Sequence, residues 1–336
     1  MAAHLRASAP APTGLPALRP MLASSGPMPG TPTDWAFEVK WDGMRVLCYL
    51  DGTGAVRLRS RTGNDATARY PELESLGELL PHQAILDAEV IAADAAGRPS
   101  FSRLQQRMTL RSPAQIKTAS ISVPVTLMVF DVLWLRGTDT TRLPYTERRA
   151  LLDGLELHGE HVLGPPAWPG SAVAEARAWT REHGLEGIIG KRLDSPYRPG
   201  QRSRDWVKLK NVRSADVFVG AWVPGDATGA EVKSLLVGLP AAGGLRYAGA
   251  VGTGFSQTER RALADVLRRL TARTPPFADG IAGIDRGEPV RFVRPVLRGE
   301  VEYLETTVRG HLRQPVWKGL RGPRRDEPPP YRTDTG

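Results

Sequence analysis

Short apolar segments of this chain carry charged residues inside them or at their ends. The charged motifs are residues 38–45, 59–63, 86–90, 185–191 and 206–210. A charge inside a buried strand costs free energy unless it is paired or bound to a metal ion. Taken together, the five motifs predict strands that bring their charges to one common site.

Residues 38–45 place Lys40 between the acidic residues Glu38 and Asp42, with Arg45 five positions further on. A lysine is a covalent nucleophile only when its amine has lost the proton, and burial or a nearby cation makes this easier. Lys40 is therefore a candidate nucleophile. The structural alternative is a lysine at the end of a strand, within a solvated cluster of charges.

The first part of the chain is predicted to mix strands and helices. Residues 46–50 and 56–60, joined by a turn at Asp51-Gly52, predict a β-hairpin. Apolar runs and helical spacing predict further strands at 85–92 and 125–135, and helices at 70–80, 101–108, 145–155 and 171–183, the last beginning at Ser171.

The character of the sequence changes after Asn211, where short strands and glycine-rich turns predominate. A helix at 257–270 is predicted to begin with the capping box Ser256-Gln257-Thr258-Glu259. Several strands with one interposed helix, in roughly 120 residues, are typical of a small β-barrel of OB type. The strands are predicted at 217–222, 234–238, 245–249, 290–296 and 299–307.

We therefore predict an α+β protein with two domains, residues 20–212 and residues 213–322. Residues 1–19, rich in Ala, Pro and Leu, are expected to be a flexible leader. Residues 323–336 contain three consecutive prolines and are expected to be a disordered tail.

Charge and cysteine content limit the partners and the compartment. Lys and Arg total 45 against 36 Asp and Glu, a formal net charge of +9, which favours nucleic acid as a partner. No long apolar segment or amphipathic basic helix suggests a membrane. Cys48 is the single cysteine, which excludes a disulfide framework and a cysteine-based zinc site within one chain. We expect a cytoplasmic protein.

A nucleophilic lysine, carboxylates and several cations are what attack on a nucleotide α-phosphate requires. Each motif alone also has a structural interpretation. Asp87 and Glu89 could form the polar face of an edge strand, and Lys208 and Lys210 a solvated face. The combination favours the chemical interpretation.

In the order and spacing of these motifs, the chain resembles the ATP-dependent DNA ligases of the covalent nucleotidyltransferase superfamily. The resemblance runs from about Pro20 to Arg321 and is strongest to the ligase module of bacterial non-homologous end-joining ligases. It implies an adenylation (nucleotidyltransferase) domain of mixed antiparallel sheets with helices, followed by an OB-fold β-barrel. It also implies ATP and a divalent cation, Mg²⁺ or Mn²⁺, as cofactors.

The resemblance also implies roles for individual residues. Lys40 corresponds to the lysine that becomes adenylylated, and Phe130 to a ring stacked on the adenine, although an aromatic in an apolar strand is usually core. The remaining implied contacts are Glu38 to the adenine, Arg45 and Arg61 to the ribose and phosphate, Glu89 to the ribose and metal, Glu186 to the metal, Lys208 and Lys210 to the α-phosphate, Arg202 to the nucleotide, and Lys318 and Arg321 to pyrophosphate or DNA.

The sequence departs from the family pattern in three respects. Ala88 stands between the two acids of residues 86–90, where the family usually has glycine. The Asp-Lys pair that usually follows Arg321 is absent, and Gly322-Pro323-Arg324-Arg325 stands there instead. No polymerase or phosphoesterase module accompanies the ligase motifs, so we expect a stand-alone ligase.

The implied substrate is duplex DNA with nicks or broken ends, and an end-binding repair protein is a possible partner. We expect a monomer that acts at the nucleoid. An RNA ligase and an mRNA-capping guanylyltransferase share the lysine chemistry and are the closest alternatives. A non-catalytic nucleic-acid-binding protein with an OB barrel is the alternative of a different class.

Overall fold

The computed structural model describes residues 14–282, 287–304, 306–307 and 309–322. The chain divides between Asn211 and Val212 into two compact units. The predicted architecture, a mixed α+β unit followed by a β-barrel unit, is confirmed. None of the described helices is long and apolar enough to cross a membrane.

The described part of the first unit, residues 14–211, contains eleven strands and five α-helices. The strands are β1 (Leu22–Ser25), β2 (Trp35–Val39), β3 (Met44–Asp51), β4 (Val56–Ser60), β5 (Gln83–Ala92), β6 (Val125–Leu135), β7 (Thr138–Asp139), β8 (Val162–Leu163), β9 (Trp168–Pro169), β10 (Gly187–Arg192) and β11 (Arg202–Lys210). The helices are α1 (Ser75–Leu79), α2 (Phe101–Met108), α3 (Pro113–Ser122), α4 (Tyr145–Asp153) and α5 (Val173–Glu182).

These strands form two sheets. One has the order β4-β3-β5-β6-β7, all antiparallel, with β8 parallel beside β6. The other has the order β1-β11-β10-β2-β9, in which β1 and β11 are parallel and the other neighbours antiparallel. The predicted hairpin is the β3–β4 pair.

Strand β3 is buried on both faces because it lies between two apolar clusters. Cys48 faces the large cluster of the first sheet. Leu47 and Tyr49 face the opposite way and belong to a cluster that includes Trp206 of the second sheet. The two sheets therefore share a core across β3, which explains the continuous apolar run in its sequence.

Strand β5 follows the same alternation, and this explains its acids. Leu86, Ala88 and Val90 belong to the large cluster. Asp87 and Glu89 lie on the opposite face of the strand. Ala88 is fully buried and pairs with β3 and β6, although the register with β6 shifts between Asp87 and Ala88. The site therefore accepts alanine where the family usually has glycine.

Several predicted boundaries were wrong. Residues 70–80 form a 3-10 helix, Pro71–Glu74, followed by the short α1, and not one continuous helix. A 3-10 turn at Gly170–Ala172 precedes α5, so Ser171 does not cap the helix. Helix α3 was not predicted because Ile116 is its one buried apolar residue, which leaves no apolar periodicity.

Part of the predicted leader is ordered against the first unit. Leu15 is buried, and the N–H of Leu18 donates to the Tyr49 hydroxyl at 3.0 Å. Residues 1–13 and the predicted tail, 323–336, lie outside the described residues.

The second unit is a β-barrel with a single described α-helix. Its elements are β12 (Arg213–Pro224), β13 (Val232–Ala241), β14 (Gly244–Val251), α6 (Gln257–Arg269), β15 (Arg291–Phe292), β16 (Arg298–Tyr303) and β17 (Val316–Arg321). The order is β14-β13-β12-β16-β17, with β15 beside β12. A parallel bridge between Thr253 and Val316 links the two ends of this sheet, as in an OB-type barrel.

Helix α6 begins as predicted. The Ser256 side chain accepts the backbone N–H of Glu259, whose carboxylate accepts the backbone N–H of Ser256. Leu263, Ala264 and Leu267 of α6 are buried in the barrel core. The predicted strand at 290–296 is limited to the two residues of β15, and the strand at 299–307 is β16, ending at Tyr303.

We predict that Gly299→Ala destabilises the second unit. A Cβ atom on Gly299 would clash with the indole of Trp317, which is 2% exposed. Overpacking of this kind costs about 1–3 kcal/mol in free energy of unfolding, measurable by chemical denaturation. Gly287→Ala is the matched control, because no atom lies within 4 Å of a Cβ added there. Equal stability of the two variants would contradict this packing.

Candidate active site

A cavity of about 220 Å³ in the first unit is lined by residues from both sheets. Glu186 lies beside the cavity, where it forms ion pairs with Lys40, a lining residue, and with Lys210. Lys318 and Arg321 belong to the second unit. The predicted site residues that line the cavity are Glu38, Lys40, Arg45, Arg61, Glu89, Phe130, Arg202 and Lys208.

Strand pairing sets the position of Lys40. The residue directly follows β2, and its backbone N–H donates to the carbonyl of Gly187 at 2.9 Å. The antiparallel pairing of β2 with β10 therefore brings Lys40 beside Glu186. The Nζ of Lys40 is ion-paired with Oε2 of Glu186, and the Nζ of Lys210 lies 3.2 Å from Oε1. Glu186 is thus held between two lysines.

Two glycines allow this close approach of backbones. A Cβ atom on Gly43 would clash with the carbonyl oxygen of Val90 on β5. A Cβ atom on Gly187, which has φ +141°, would clash with the carbonyl oxygen of Leu209 on β11. Both glycines are therefore required by packing, and Gly187 is also required by its backbone conformation.

Glu38 is 5% exposed and already fully engaged by protein groups. The Tyr145 hydroxyl donates to its Oε1 at 2.6 Å, and the Nζ of Lys191 lies 2.8 Å from its Oε2. Lys191 also donates to the Phe130 carbonyl at 2.8 Å. Burial lowers the pKa of Lys191, while Glu38 and Asp131 act in the opposite direction. Lys191 lines the cavity, yet no role was predicted for it.

Arg45 is held by a buried carboxylate. Its Nε and Nη2 donate to Oδ1 and Oδ2 of Asp87, which is fully buried. The Cζ of Arg45 lies 4.5 Å from the ring centroid of Phe130 and 5.6 Å from that of Trp206. This bidentate pair compensates the buried charge and fixes the guanidinium at the cavity wall.

Two aromatic residues of this wall serve both the core and the cavity. Phe130 and Trp206 line the cavity and also belong to the buried cluster shared by the two sheets. Phe130 is therefore a core residue that also lines the cavity, and its stacking on the adenine stays a prediction. Trp206 stands in a charged motif, but its own place in the cavity was not predicted.

Strand β11, which carries Trp206, also contributes cations to the cavity. Lys208 and Lys210 project from the same side of β11. Partial burial lowers the pKa of Lys208, and the neighbouring charges of Lys40, Arg202 and Lys210 lower it further. Mutual repulsion of this kind favours an anion in the cavity.

Within the described residues, no group of three or more His, Cys, Asp or Glu side chains could hold a metal ion by itself. Glu89 lines the cavity, and Glu186 lies beside it. Mg²⁺ is commonly bound by one or two carboxylates together with substrate phosphates. The two glutamates therefore fit a cation that is shared with a nucleotide.

The two predicted residues of the second unit are both ion-paired on the barrel. The Nζ of Lys318 lies 3.2 Å from Oε2 of Glu302, and Arg321 pairs with Glu300. Both acids belong to β16, the strand beside β17. The positive charges of Lys318 and Arg321 are therefore balanced within the second unit.

Comparison with known proteins gives two matches to family models. An "ATP dependent DNA ligase domain" matches residues 20–210, and an "ATP dependent DNA ligase C terminal region" matches residues 228–323. Together they span the adenylation domain and most of the barrel expected from the sequence.

Individual relatives agree with these matches. The chain is 41% identical over 307 residues, 90% of its length, to the multifunctional non-homologous end joining DNA repair protein LigD of Mycobacterium tuberculosis, but spans 38% of that relative. It is 34% identical over 266 residues to DNA ligase C of the same organism, covering 76% of this chain and 72% of the relative. A structure of mycobacterial DNA ligase D complexed with ATP is 40% identical with a TM-score of 0.53, covering 93% of this chain and 96% of that one.

We predict that Glu89→Gln changes the pH dependence of stability. Burial raises the pKa of Glu89 from 4.5 to about 8, although Arg45 and Lys40 act in the opposite direction. The folded protein therefore binds this proton more tightly than the unfolded chain. The stabilisation is fully present below about pH 4.5 and is lost as the pH rises through about 8.

Melting temperatures of the nucleotide-free proteins, measured from about pH 5 to about pH 8.5, test this. Wild type should lose stability relative to Glu89→Gln across the range. Glu78→Gln, at an exposed residue of α1, should run parallel to wild type. Parallel curves for Glu89→Gln as well would rule out the raised pKa.

Proposed function

Because the chain belongs to the family of ATP-dependent DNA ligases, we propose that it seals breaks between a 5′-phosphate and a 3′-hydroxyl in duplex DNA through a Lys40–AMP intermediate. The observation that carries the proposal is the surroundings of Lys40. It lines a cavity together with Arg45, Arg61, Arg202 and Lys208. An amine among fixed cations is suited to attack a phosphorus atom that carries negative oxygens.

The proposed reaction consists of three displacements at phosphorus. First, the Nζ of Lys40 bonds to the α-phosphorus of ATP, and the bond to pyrophosphate breaks. Next, an oxygen of the DNA 5′-phosphate bonds to that phosphorus, and the bond to Lys40 breaks. Finally, the 3′-hydroxyl bonds to the phosphorus of the DNA 5′-phosphate, and AMP leaves. Positioning and charge neutralisation dominate such steps, so one set of cations serves all three.

The ion pair between Lys40 and Glu186 has a direct role in the first step. In the nucleotide-free protein, Glu186 holds the amine of Lys40 in place. Binding of Glu186 to the cation would release this amine, which would lose its proton to solvent before it attacks. When Lys40 leaves the pair, Lys210 remains 3.2 Å from the other oxygen of Glu186. The carboxylate is therefore never left without a partner.

Glu89 and Glu186 would hold the divalent cation together with phosphate oxygens of ATP. A bound cation neutralises phosphate charge and the charge that develops on pyrophosphate. Lys208 and Lys210 would contact the α-phosphate, and Arg61 and Arg202 the remaining polar groups of the nucleotide. Phe130 would stack on the adenine.

Glu38 is proposed to act at the adenine mainly through Lys191. Both of its oxygens are engaged, one of them by Lys191, which itself lines the cavity. A buried carboxylate in this position favours the charged form of Lys191 and so opposes the effect of burial, which lowers the pKa of this lysine.

In the second unit, Lys318 and Arg321 are proposed to contact pyrophosphate or DNA after release from Glu302 and Glu300. The pairs they form are partly exposed, and exposed pairs are weak enough to exchange for a phosphate. The net charge of +9 supports salt-sensitive binding to duplex DNA without sequence preference.

We propose that the biological setting is DNA repair by end joining, because the relatives include proteins named for that process. An end-binding repair protein would then be a partner. We further propose that the protein acts as a monomer, in the cytoplasm at the nucleoid.

We predict that Lys40→Ala abolishes covalent labelling of the protein by α-³²P-ATP in the presence of Mg²⁺ or Mn²⁺. The same gel assay should show full labelling of Lys117→Ala, at an exposed lysine of α3. Undiminished labelling of Lys40→Ala would overturn the proposed nucleophile. Absence of labelling in wild type would favour a non-catalytic DNA-binding protein.

We predict that Arg321→Ala slows self-adenylylation by about tenfold or more and slows sealing of a pre-adenylylated nick much less. Pyrophosphate leaves in the first step and is absent from the last. The matched control is Arg261→Ala, at an exposed arginine of α6 in the same unit. Equal losses in the two assays would show that Arg321 acts on DNA binding or stability and not on pyrophosphate.

A further inference from the structure

Tyr197 is a buried residue next to the cavity that the proposed chemistry does not use. It is 3% exposed and lies between β10 and β11. Its hydroxyl donates to Oδ2 of Asp87 and accepts the backbone N–H of Met21 at 2.8 Å. One hydroxyl therefore connects two parts of the cavity wall that come from different sheets.

The first connection leads to Arg45. Both oxygens of Asp87 receive Arg45, and Oδ2 receives the Tyr197 hydroxyl as well. Asp87 is fully buried, so its orientation is set by these protein donors. Tyr197 therefore fixes the plane of the carboxylate, and the carboxylate fixes the guanidinium that lines the cavity.

The second connection leads to β1. Met21 directly precedes Leu22 and Ala23, which line the cavity. The carbonyl of Ala23 accepts a hydrogen bond from Arg202, another lining residue. By accepting the N–H of Met21, the Tyr197 hydroxyl therefore fixes the start of β1, which contributes Leu22 and Ala23 to the cavity wall.

Tyr197 itself is held from several sides. Its ring meets that of Trp206 edge to face at 5.5 Å, and its backbone N–H donates to the Thr141 carbonyl at 2.8 Å. Burial raises the pKa of Tyr197 well above its ordinary value, and the charge of Asp87 adds to this effect. The phenol therefore keeps its proton and remains a donor to Asp87.

We propose that Tyr197 is a positioning residue for ATP, whose hydroxyl locks Arg45, through Asp87, and the start of β1 into the arrangement that accepts the nucleotide. This inference rests on the proposed function, in which the cavity binds ATP. Tyr197 is not among the residues that line the cavity, so its effect must pass through Arg45 and β1.

Tyr197→Phe tests the proposal because it removes the hydroxyl and keeps the ring. The KM for ATP in self-adenylylation, and the Kd of α,β-methylene-ATP, should each rise about tenfold, equivalent to about 1.4 kcal/mol. The maximal rate should change little. Tyr70→Phe is the matched control, since Tyr70 is 1% exposed and its hydroxyl has a 3.8 Å contact to the sulfur of Met44.

A double-mutant cycle separates positioning from general destabilisation. In an Arg45→Ala background, Tyr197→Phe should raise the Kd of α,β-methylene-ATP by less than about threefold, because most of the effect of Tyr197 passes through Arg45. A full tenfold loss in that background would overturn the coupling. A Tyr197→Phe protein that binds the analogue as tightly as Tyr70→Phe would overturn the proposal altogether.

Replacement of Tyr197 by p-aminophenylalanine restores an N–H donor on the same ring. This protein should bind the analogue within about twofold of wild type. If Tyr197→Phe does not fold, the p-aminophenylalanine protein tests the proposal in its place. A folded p-aminophenylalanine protein that binds the analogue about tenfold more weakly than wild type would contradict the proposal. Failure of wild type to label with ATP would instead refute the proposed function.

Discussion

The antiparallel pairing of β10 with β2 on one side and β11 on the other is the constraint on which the active site depends. It places Lys40 at the end of β2 beside Glu186 at the start of β10. The β10–β11 pairing then brings Lys210 to the same carboxylate. Side chains alternate between the two faces of a strand. A shift of one residue in the register of β11 against β10 would therefore turn Lys208 and Lys210 away from this cavity.

Burying so many charges is possible because nearly every one has a partner inside the protein. Asp87 is compensated by Arg45 and Tyr197, and Glu38 by Lys191 and Tyr145. Removing one partner of such a pair leaves an uncompensated charge, which costs far more than the pair contributes. The cavity is therefore shaped before a nucleotide arrives, and this preorganisation suits a reaction that depends on positioning.

Sequence patterns predicted which charged residues line the cavity better than they predicted the contacts that support those residues. Lys40, Glu89 and Lys208 were predicted because a charge in an apolar strand is unusual, and all three line the cavity. The hairpin and the capping box of α6 were predicted because they depend on residues close together in the chain. The role of each site residue in catalysis stays a prediction.

The contacts that escaped prediction join residues far apart in sequence. Lys191 lies in a recognised motif, but its bond to Glu38 depends on the pairing of β2 with β10. Tyr197 meets Asp87, 110 residues earlier in the chain, and gives no local signal. Helix α3 was missed because it presents a single buried apolar side chain. Each miss reflects tertiary packing, which periodicity along the chain does not encode.

The central claim is that Lys40 is the residue that carries AMP. Peptide mapping by mass spectrometry, after incubation of the intact protein with ATP and Mg²⁺ and removal of free nucleotide, tests it most directly. The account predicts one AMP per chain, on the peptide that contains Lys40, and release of the adduct by pyrophosphate or by nicked DNA. An adduct on Lys191, Lys208 or Lys210, or one that nicked DNA does not discharge, would contradict it.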